Sequence, residues 1–364
     1  MKIFVNAATV KLSGGLAVSL SIIHAFKNFR EVELYIASPK LPEYNEYAPA
    51  NAKIWFVKSW MLLKIFRWLL DHYFLPGKIK EFDPDVVFSL SNLPAISKYK
   101  QIFYHDNPFF TAESLQDLNL SFTQKISHDL RNHVTRKRLR KLNNIIVQSS
   151  SEAGKIQEKF PDASITIIPP SLPVYWHKIP KTSYTFPDIS GNNKNILCFS
   201  HYYPHKNIEI LFEVARIFEK KNAPYKFIVS CIAHNYHLKK KLKKYNSEYI
   251  SSLDVANLEE AYNILPLVDA FILPSLLESF SLNYIEAWFF EKPLFTSNLD
   301  FGVQNCEEAA IYFDPLNPED IYETIDHAFK EGLTEKCKLK GKQRLEKLPD
   351  WNEVIQYILE NNSV

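Results

Sequence analysis

Residues 269–297, DAFILPSLLESFSLNYIEAWFFEKPLFTS, hold a strand, a loop, a helix and a second strand in one stretch. The run from Ala270 to Leu273 is apolar without alternation, the pattern of a strand buried on both faces. Past the loop, Ile285 and Phe289 recur at helical spacing with Ser281 ahead of them as a cap, which predicts a helix over 282–291 that buries both residues. PLFTS then returns to strand composition. Two parallel strands joined through a helix need further strands beside them and helices on both faces. Glu278 falls in the loop at the carboxyl edge of the first strand, and Glu286 lies about one turn inside the helix. Glu323 and Glu331 repeat the same spacing in a charged helical tail, so placement, not spacing, sets the pair apart.

The rhythm extends in both directions. KIFVNAA, VELYIAS, KIWFV, DVVFSL, QIFYHD, NIIVQS and ITIIPP are strand-like runs interleaved with helical patterns near 16–28, 60–74, 123–141 and 151–159. A stretch at 174–193 breaks it with prolines and polar residues, as a linker does. NILCFS, KFIVSC, YISS, DAFILPS, PLFTS and AIYF then resume it, with helices expected at 207–220, 236–245, 257–265 and 282–291. The predicted fold class is α/β: two doubly wound Rossmann-like domains facing across a cleft, at 1–173 and 194–349, with helix 350–364 packing back on the first. Ligands of such sheets bind at the carboxyl ends of the strands.

Composition narrows the function. At 364 residues, 46% hydrophobic and 23% charged, the chain suits a soluble protein of two domains. A net charge of +2 creates no global field for nucleic acid, and none is expected as a partner. Charge is uneven locally. Segment 123–141 carries Lys125, Arg131, Arg136, Lys137, Arg138, Arg140 and Lys141 against one acid, Asp129, which fits a solvated face or an anionic membrane surface. The apolar stretch at 59–77 includes Lys64, Arg67 and Asp71; it fails as a spanning helix but suits an interface. Cys198, Cys231, Cys306 and Cys337 form no CxxC pair and point to buried thiols in a reducing cytosol. The N-terminus alternates like a strand where a signal peptide would need an unbroken apolar core, so a cytoplasmic protein is expected.

Three strand-to-helix junctions offer polar groups beside helix N-termini, where anions bind. LSGG places Ser13, Gly14 and Gly15 after the first strand, although no GxGxxG or GxxxxGK pattern is present. FSHYYPHKN, 199–207, offers His201, His205 and Lys206, with Asn207 as a helix cap. The third holds Glu278 and Glu286, carboxylates suited to accept hydrogen bonds from the vicinal diols of a sugar or ribose. His105 and Asp106 end the strand QIFYHD at a fourth carboxyl edge. Each has a plainer role as well: a tight turn, a solvated lysine, an ion-paired glutamate, a packed histidine.

In that order, these residues resemble the family 4 glycosyltransferases. PSLLESFSLNYIEA, 274–287, looks like that family's E-x7-E segment, HYYPHKN like its lysine loop, LSGG like its glycine loop and YHD like its cleft histidine. VQSSSEAGKI, IPPSL and AAIYFDPLNPEDI are similar too, so the resemblance runs from about residue 2 to residue 330. It implies the glycosyltransferase B fold and a retaining, metal-independent hexosyl transfer from a nucleoside diphosphate-sugar to a saccharide or lipid-linked acceptor, as in bacterial O-antigen or capsule assembly. By the same resemblance Lys206, Glu278 and His105 act at the reacting centre. Glu286, His201, Ser279, Phe280, Ser281, Leu282, Gly14 and Gly15 would hold the donor, without metal or cofactor, in a protein of the cytoplasm or the inner face of the plasma membrane. His201 stands where the family usually has arginine, and Ser281 where it often has glycine. The competing readings are a non-catalytic nucleotide-sugar-binding subunit and a sugar-nucleotide epimerase on the same fold.

Overall fold

In a computed structural model, which describes residues 1–63, 65–112, 118, 120–142, 144–178, 189, 193–232, 240–242, 245, 247–255 and 262–361, the unbroken apolar runs become two parallel sheets. The first contains β1 (Lys2–Asn6), β2 (Glu33–Pro39), β3 (Lys53–Val57), β4 (Val86–Ser89), β5 (Lys100–His105), β6 (Asn144–Val147) and β7 (Ser164–Ile167), in the order β3-β2-β1-β4-β5-β6-β7. The second contains β8 (Lys194–Phe199), β9 (Tyr225–Ile232), β10 (Ile250–Val255), β11 (Ala270–Leu273), β12 (Leu294–Ser297) and β13 (Ile311–Phe313), in the order β10-β9-β8-β11-β12-β13. All pairings are parallel, with Ile3 opposite Leu34 and Val86, and Phe271 opposite Leu197 and Leu294. In the central strands side chains on both sheet faces are therefore buried, as Ile3, Phe4 and Val5 are, while the edge strands β3 and β7 stay partly exposed.

Strand order reverses once in each sheet, between β1 and β4 in the first and between β8 and β11 in the second. At a reversal the connecting helices leave toward opposite faces, and a crevice opens at the carboxyl ends of the two strands. Two compact units contain these sheets: Met1–Glu113 with Ser121–Trp176 and Pro349–Val364, and Ser114–Leu120 with His177–Leu348. In the first unit, helix Trp351–Glu360 buries Val354, Ile355 and Ile358, and Trp351 Nε1 donates to Leu172 O at 2.8 Å.

Helix Leu282–Phe289 follows β11 and carries Glu286. Its buried face is Tyr284, Ile285 and Trp288, with Trp288 Nε1 donating to Ala309 O at 3.0 Å. Phe289 corrects the expectation of burial: it is the last helical residue, its ring meets Phe290 edge-on, and it stays exposed because Trp288 fills the space against helix Leu333–Leu345. Gly341 of that helix makes the approach possible, since a Cβ there would sit 2.6 Å from the Trp288 ring.

Two expected elements differ in form. The segment near 60–74 is a 3-10 turn at Ser59–Leu62, a short helix at Arg67–Leu69, a π-helical turn at Leu70–Phe74 and then helix Leu75–Phe82. Helix Phe122–Leu139 opens on a capping box of Ser121 and Gln124 and ends slightly earlier than the basic run. Most of the linker 174–193 and of the helices expected at 236–245 and 257–265 lies outside the described residues. Cys198, Cys306 and Cys337 are buried free thiols.

Gly341→Ala is expected to lower stability by about 1–3 kcal/mol through overpacking against Trp288. A denaturant midpoint equal to that of the parent would show that the two helices separate at no cost.

Candidate functional site

The second sheet's crevice is built from the loops that leave β8 and β11. After β8, a single 3-10 turn at Pro204–Lys206 ends on Asn207 in the left-handed region at φ 50°, well before helix Ile210–Lys221 begins. Asn207 is thus no helix cap, contrary to expectation. Its side-chain amide donates to Pro315 O at 2.8 Å and anchors the loop, and an Asn tolerates that φ better than most residues. The two loops are joined through the backbone, Leu276 N donating to His205 O at 2.7 Å.

That bond sets Lys206 beside Glu278. Lys206 Nζ lies 2.5 Å from Glu278 Oε1, and the carboxylate is buried. Burial alone would raise its pKa. The Lys206 and His205 charges, with hydrogen bonds from Lys206 and Ser275, outweigh burial and hold Glu278 below the ordinary glutamate range. One ammonium has three donors, so a single carboxylate oxygen does not saturate Lys206. His205 stacks on Tyr203 with ring centroids 5.6 Å apart, and His201 tilts against the same ring at 5.9 Å.

Glu286 behaves differently although it sits on the same βα unit. Burial raises it to about 7, opposed by hydrogen bonds from Asn283 and Tyr262 and by the Lys206 charge. Near neutral pH it therefore exists as both acid and carboxylate. Between the two acids, Ser279 is buried and its carbonyl accepts from Asn305 Nδ2 at 3.1 Å, while Phe280 and Leu282 are half-buried. Ser281 occupies the cap position with extended backbone, but its hydroxyl makes no capping bond to the first-turn amides.

In the first unit, His105 ends β5 and is fully buried. Its Nε2 stands 3.4 Å from Glu152 Oε2, longer than a settled hydrogen bond, while Glu152 Oε1 accepts from Thr111 Oγ1 at 2.7 Å. Phe103 and Phe110 enclose the imidazole at 5.7 Å each. Burial raises Asp106 to about 6 against the pull of His105. Gly15 lies so near that a Cβ there would be 3.4 Å from Asp106 Oδ2, and Gly14 beside it is half-buried. Gly14 and Gly15 correct the expectation of a loop before a helix at 16: they lie in the first turn of helix Ser13–Ala25, and Gly15 there meets Asp106, which follows His105 at the end of β5.

The structure gathers Lys206, Glu278, Glu286, His201 and 279–282 in one unit and His105, Gly14 and Gly15 in the other. Sequence reasoning passed over Glu152, Tyr262, Asn283 and the charge of His205. Glu152 was visible only as part of SSSEAGKI, where it reads as a first-turn acid.

Residues 185–344 match the family described as glycosyl transferases group 1. No curated protein matches the sequence. Among solved structures, sucrose-phosphate synthase from Thermosynechococcus elongatus aligns at TM-score 0.73 and 13% identity, over 99% of this chain and 98% of that one. WaaG, a glycosyltransferase involved in lipopolysaccharide biosynthesis, aligns at 0.71 and 11% over the full length of both chains. Anabaena Alr3699/HepE, in complex with UDP and glucose, aligns at 0.67 and 13% over 99% and 100%. These likenesses establish the fold as the glycosyltransferase B type, with two parallel-sheet α/β units.

Lys206→Ala should cost about 3 kcal/mol at neutral pH, because it strands a buried carboxylate. A second change, Glu278→Gln, should restore most of that. Glu278 has a depressed folded-state pKa, so its paired form stabilises above the unfolded value near 4.5 and that stability fades as pH falls through the folded one. The cost of Lys206→Ala should accordingly shrink on acidification; a cost independent of pH would mean that the pair is not ionic.

Proposed function

We propose that the protein is a retaining, metal-independent glycosyltransferase of the family 4 kind. It moves a hexose or similar sugar from a nucleoside diphosphate to a saccharide or lipid-linked acceptor. The setting would be bacterial cell-surface polysaccharide assembly, O-antigen or capsule, at the cytoplasmic face of the membrane. The observation that carries this reading is the pairing of half-buried Lys206 with buried Glu278 at the second sheet's order reversal. The group 1 match over 185–344 spans that pair, and the HepE structure is described with UDP and glucose.

In this reading the bond between the anomeric carbon and the diphosphate oxygen breaks, and the electron pair leaves with the phosphate. Lys206, seconded by His201, neutralises the charge that develops there. The acceptor oxygen bonds the same face of the anomeric carbon, and its proton passes to the departing phosphate. Glu278 accepts hydrogen bonds from sugar hydroxyls, Glu286 from the ribose diol, and His105 meets the sugar near its reacting end. Residues 279–282, with Gly14 and Gly15, would border the donor.

Release of nucleoside diphosphate by the pure protein, given donor and acceptor, tests the reading. Lys206→Ala, assayed where it remains folded, is expected to lose about two to three orders of magnitude in turnover. Near-normal turnover removes Lys206 from the mechanism, and a product of inverted anomeric configuration removes retention alone. Glu286 adds a pH signature. Since it titrates at about 7, its acceptor strength grows as pH rises through that value, and nucleotide affinity should rise with it. Glu286→Gln should lose that component; the same pH slope in both proteins would take Glu286 off the ribose.

A further inference from the structure

The first unit carries an apolar face that the transfer reaction leaves unused. Helix Phe122–Leu139 turns Thr135 and Leu139 inward, stacks His128 on Phe109 at 4.1 Å, and sends Asn132 Nδ2 to Phe109 O at 2.9 Å. Arg138 also faces in, donating to Pro94 O at 2.8 Å and lying 3.4 Å from Asp71. The opposite face begins with Phe122, Ile126 and Leu130, which are 78%, 51% and 65% exposed. Their helical spacing continues through His133, Lys137 and Arg140, all exposed, so one stripe changes from apolar to basic along its length. Arg136 is exposed at its flank, as is Asp129, the one acid of the helix.

A second apolar group lies alongside. Asp71 binds Arg67 at 3.1 Å as well as Arg138, which fastens segment 59–74 to the helix. That segment exposes Leu63, Ile65, Trp68 and Tyr73, with Ile65 at 79%. Large aromatic and aliphatic side chains standing in water beside cations suit an interface where the apolar groups enter the acyl boundary and the cations meet head groups. Among the described residues no helix is long and apolar enough to cross a membrane.

We propose that this face docks the first unit on an anionic lipid bilayer. Phe122, Ile126, Leu130, Ile65 and Trp68 insert, and Arg136, Lys137 and Arg140 bind lipid phosphates. Charge complementarity decides for a membrane: the flanking basic residues outnumber the single exposed acid, and they sit where the apolar stripe ends. Arg138 takes no part, because Asp71 and Pro94 hold it. The inference stands whether or not the chain transfers sugar.

Sedimentation with vesicles tests it, using phosphatidylcholine alone or mixed with phosphatidylglycerol. The native chain should pellet with the anionic vesicles at low salt and be released as salt rises. The triple change Arg136→Gln, Lys137→Gln, Arg140→Gln should weaken partitioning by about two orders of magnitude. Phe122→Ser, Ile126→Ser, Leu130→Ser should weaken it at least about tenfold. A control of equal charge, Lys220→Gln, Lys336→Gln, Lys347→Gln in the second unit, should bind like the native chain. The proposal falls if the native chain stays in the supernatant, if the serine variant binds undiminished, or if the control loses as much as the arginine-side variant. It falls likewise if the chain is a dimer that the serine changes dissociate and no vesicle recruits it, since the face is then a contact between two copies.

Discussion

Within each sheet all the described strands run parallel, and the site geometry depends on that constraint. Parallel pairing forces each connection through a helix on one face or the other, so polar loops collect at the carboxyl ends of the strands. Because β8 and β11 are neighbours while β9 and β12 lie on opposite sides of them, the loops after β8 and β11 share one crevice. The backbone bond from Leu276 to His205 then fixes their separation, and the Lys206–Glu278 contact follows. Residues 72 positions apart are brought together by sheet order and one amide.

Much of this was legible because buried parallel strands leave a strong mark. Each of the thirteen strands among the described residues overlaps a strand-like run, and KIWFV coincides with Lys53–Val57 to the residue, although Ile250–Val255 holds Ser251, Ser252 and Asp254. The loops that hold Lys206 and Glu278, and the strand end that holds His105, were legible for the same reason, since each lies where such a run stops. Less was visible where a residue's role depends on a distant partner. Glu152 is an ordinary first-turn acid until the fold sets it against His105, and Tyr262 and Asn283 acquire meaning only around Glu286.

Two errors of detail share a cause. Asn207 and Ser281 both have cap-forming side chains before a helix, but the loops here are shaped by tertiary bonds. Asn207 turns its amide to Pro315, and Ser281 leaves its hydroxyl off the helix. Local preference lost to the demand of holding the two loops together. The basic helix shows the converse. Counting charges took its seven cations as one surface, whereas the fold spends Arg138 on Asp71 and sets Lys137 and Arg140 on the opposite side.

The Lys206–Glu278 contact also bears on what leaves the crevice. An empty site that contains its own counter-ion is close to neutral, so a free phosphate arriving there meets a carboxylate along with the ammonium. A ligand that brings an anion and hydroxyl donors together satisfies both groups at once; an anion alone satisfies only one. Under the proposed function, the pair would favour the intact donor over the spent carrier and hasten product departure. Weaker inhibition by nucleoside diphosphate in the native chain than in Glu278→Gln would be its signature, and equal inhibition would remove it.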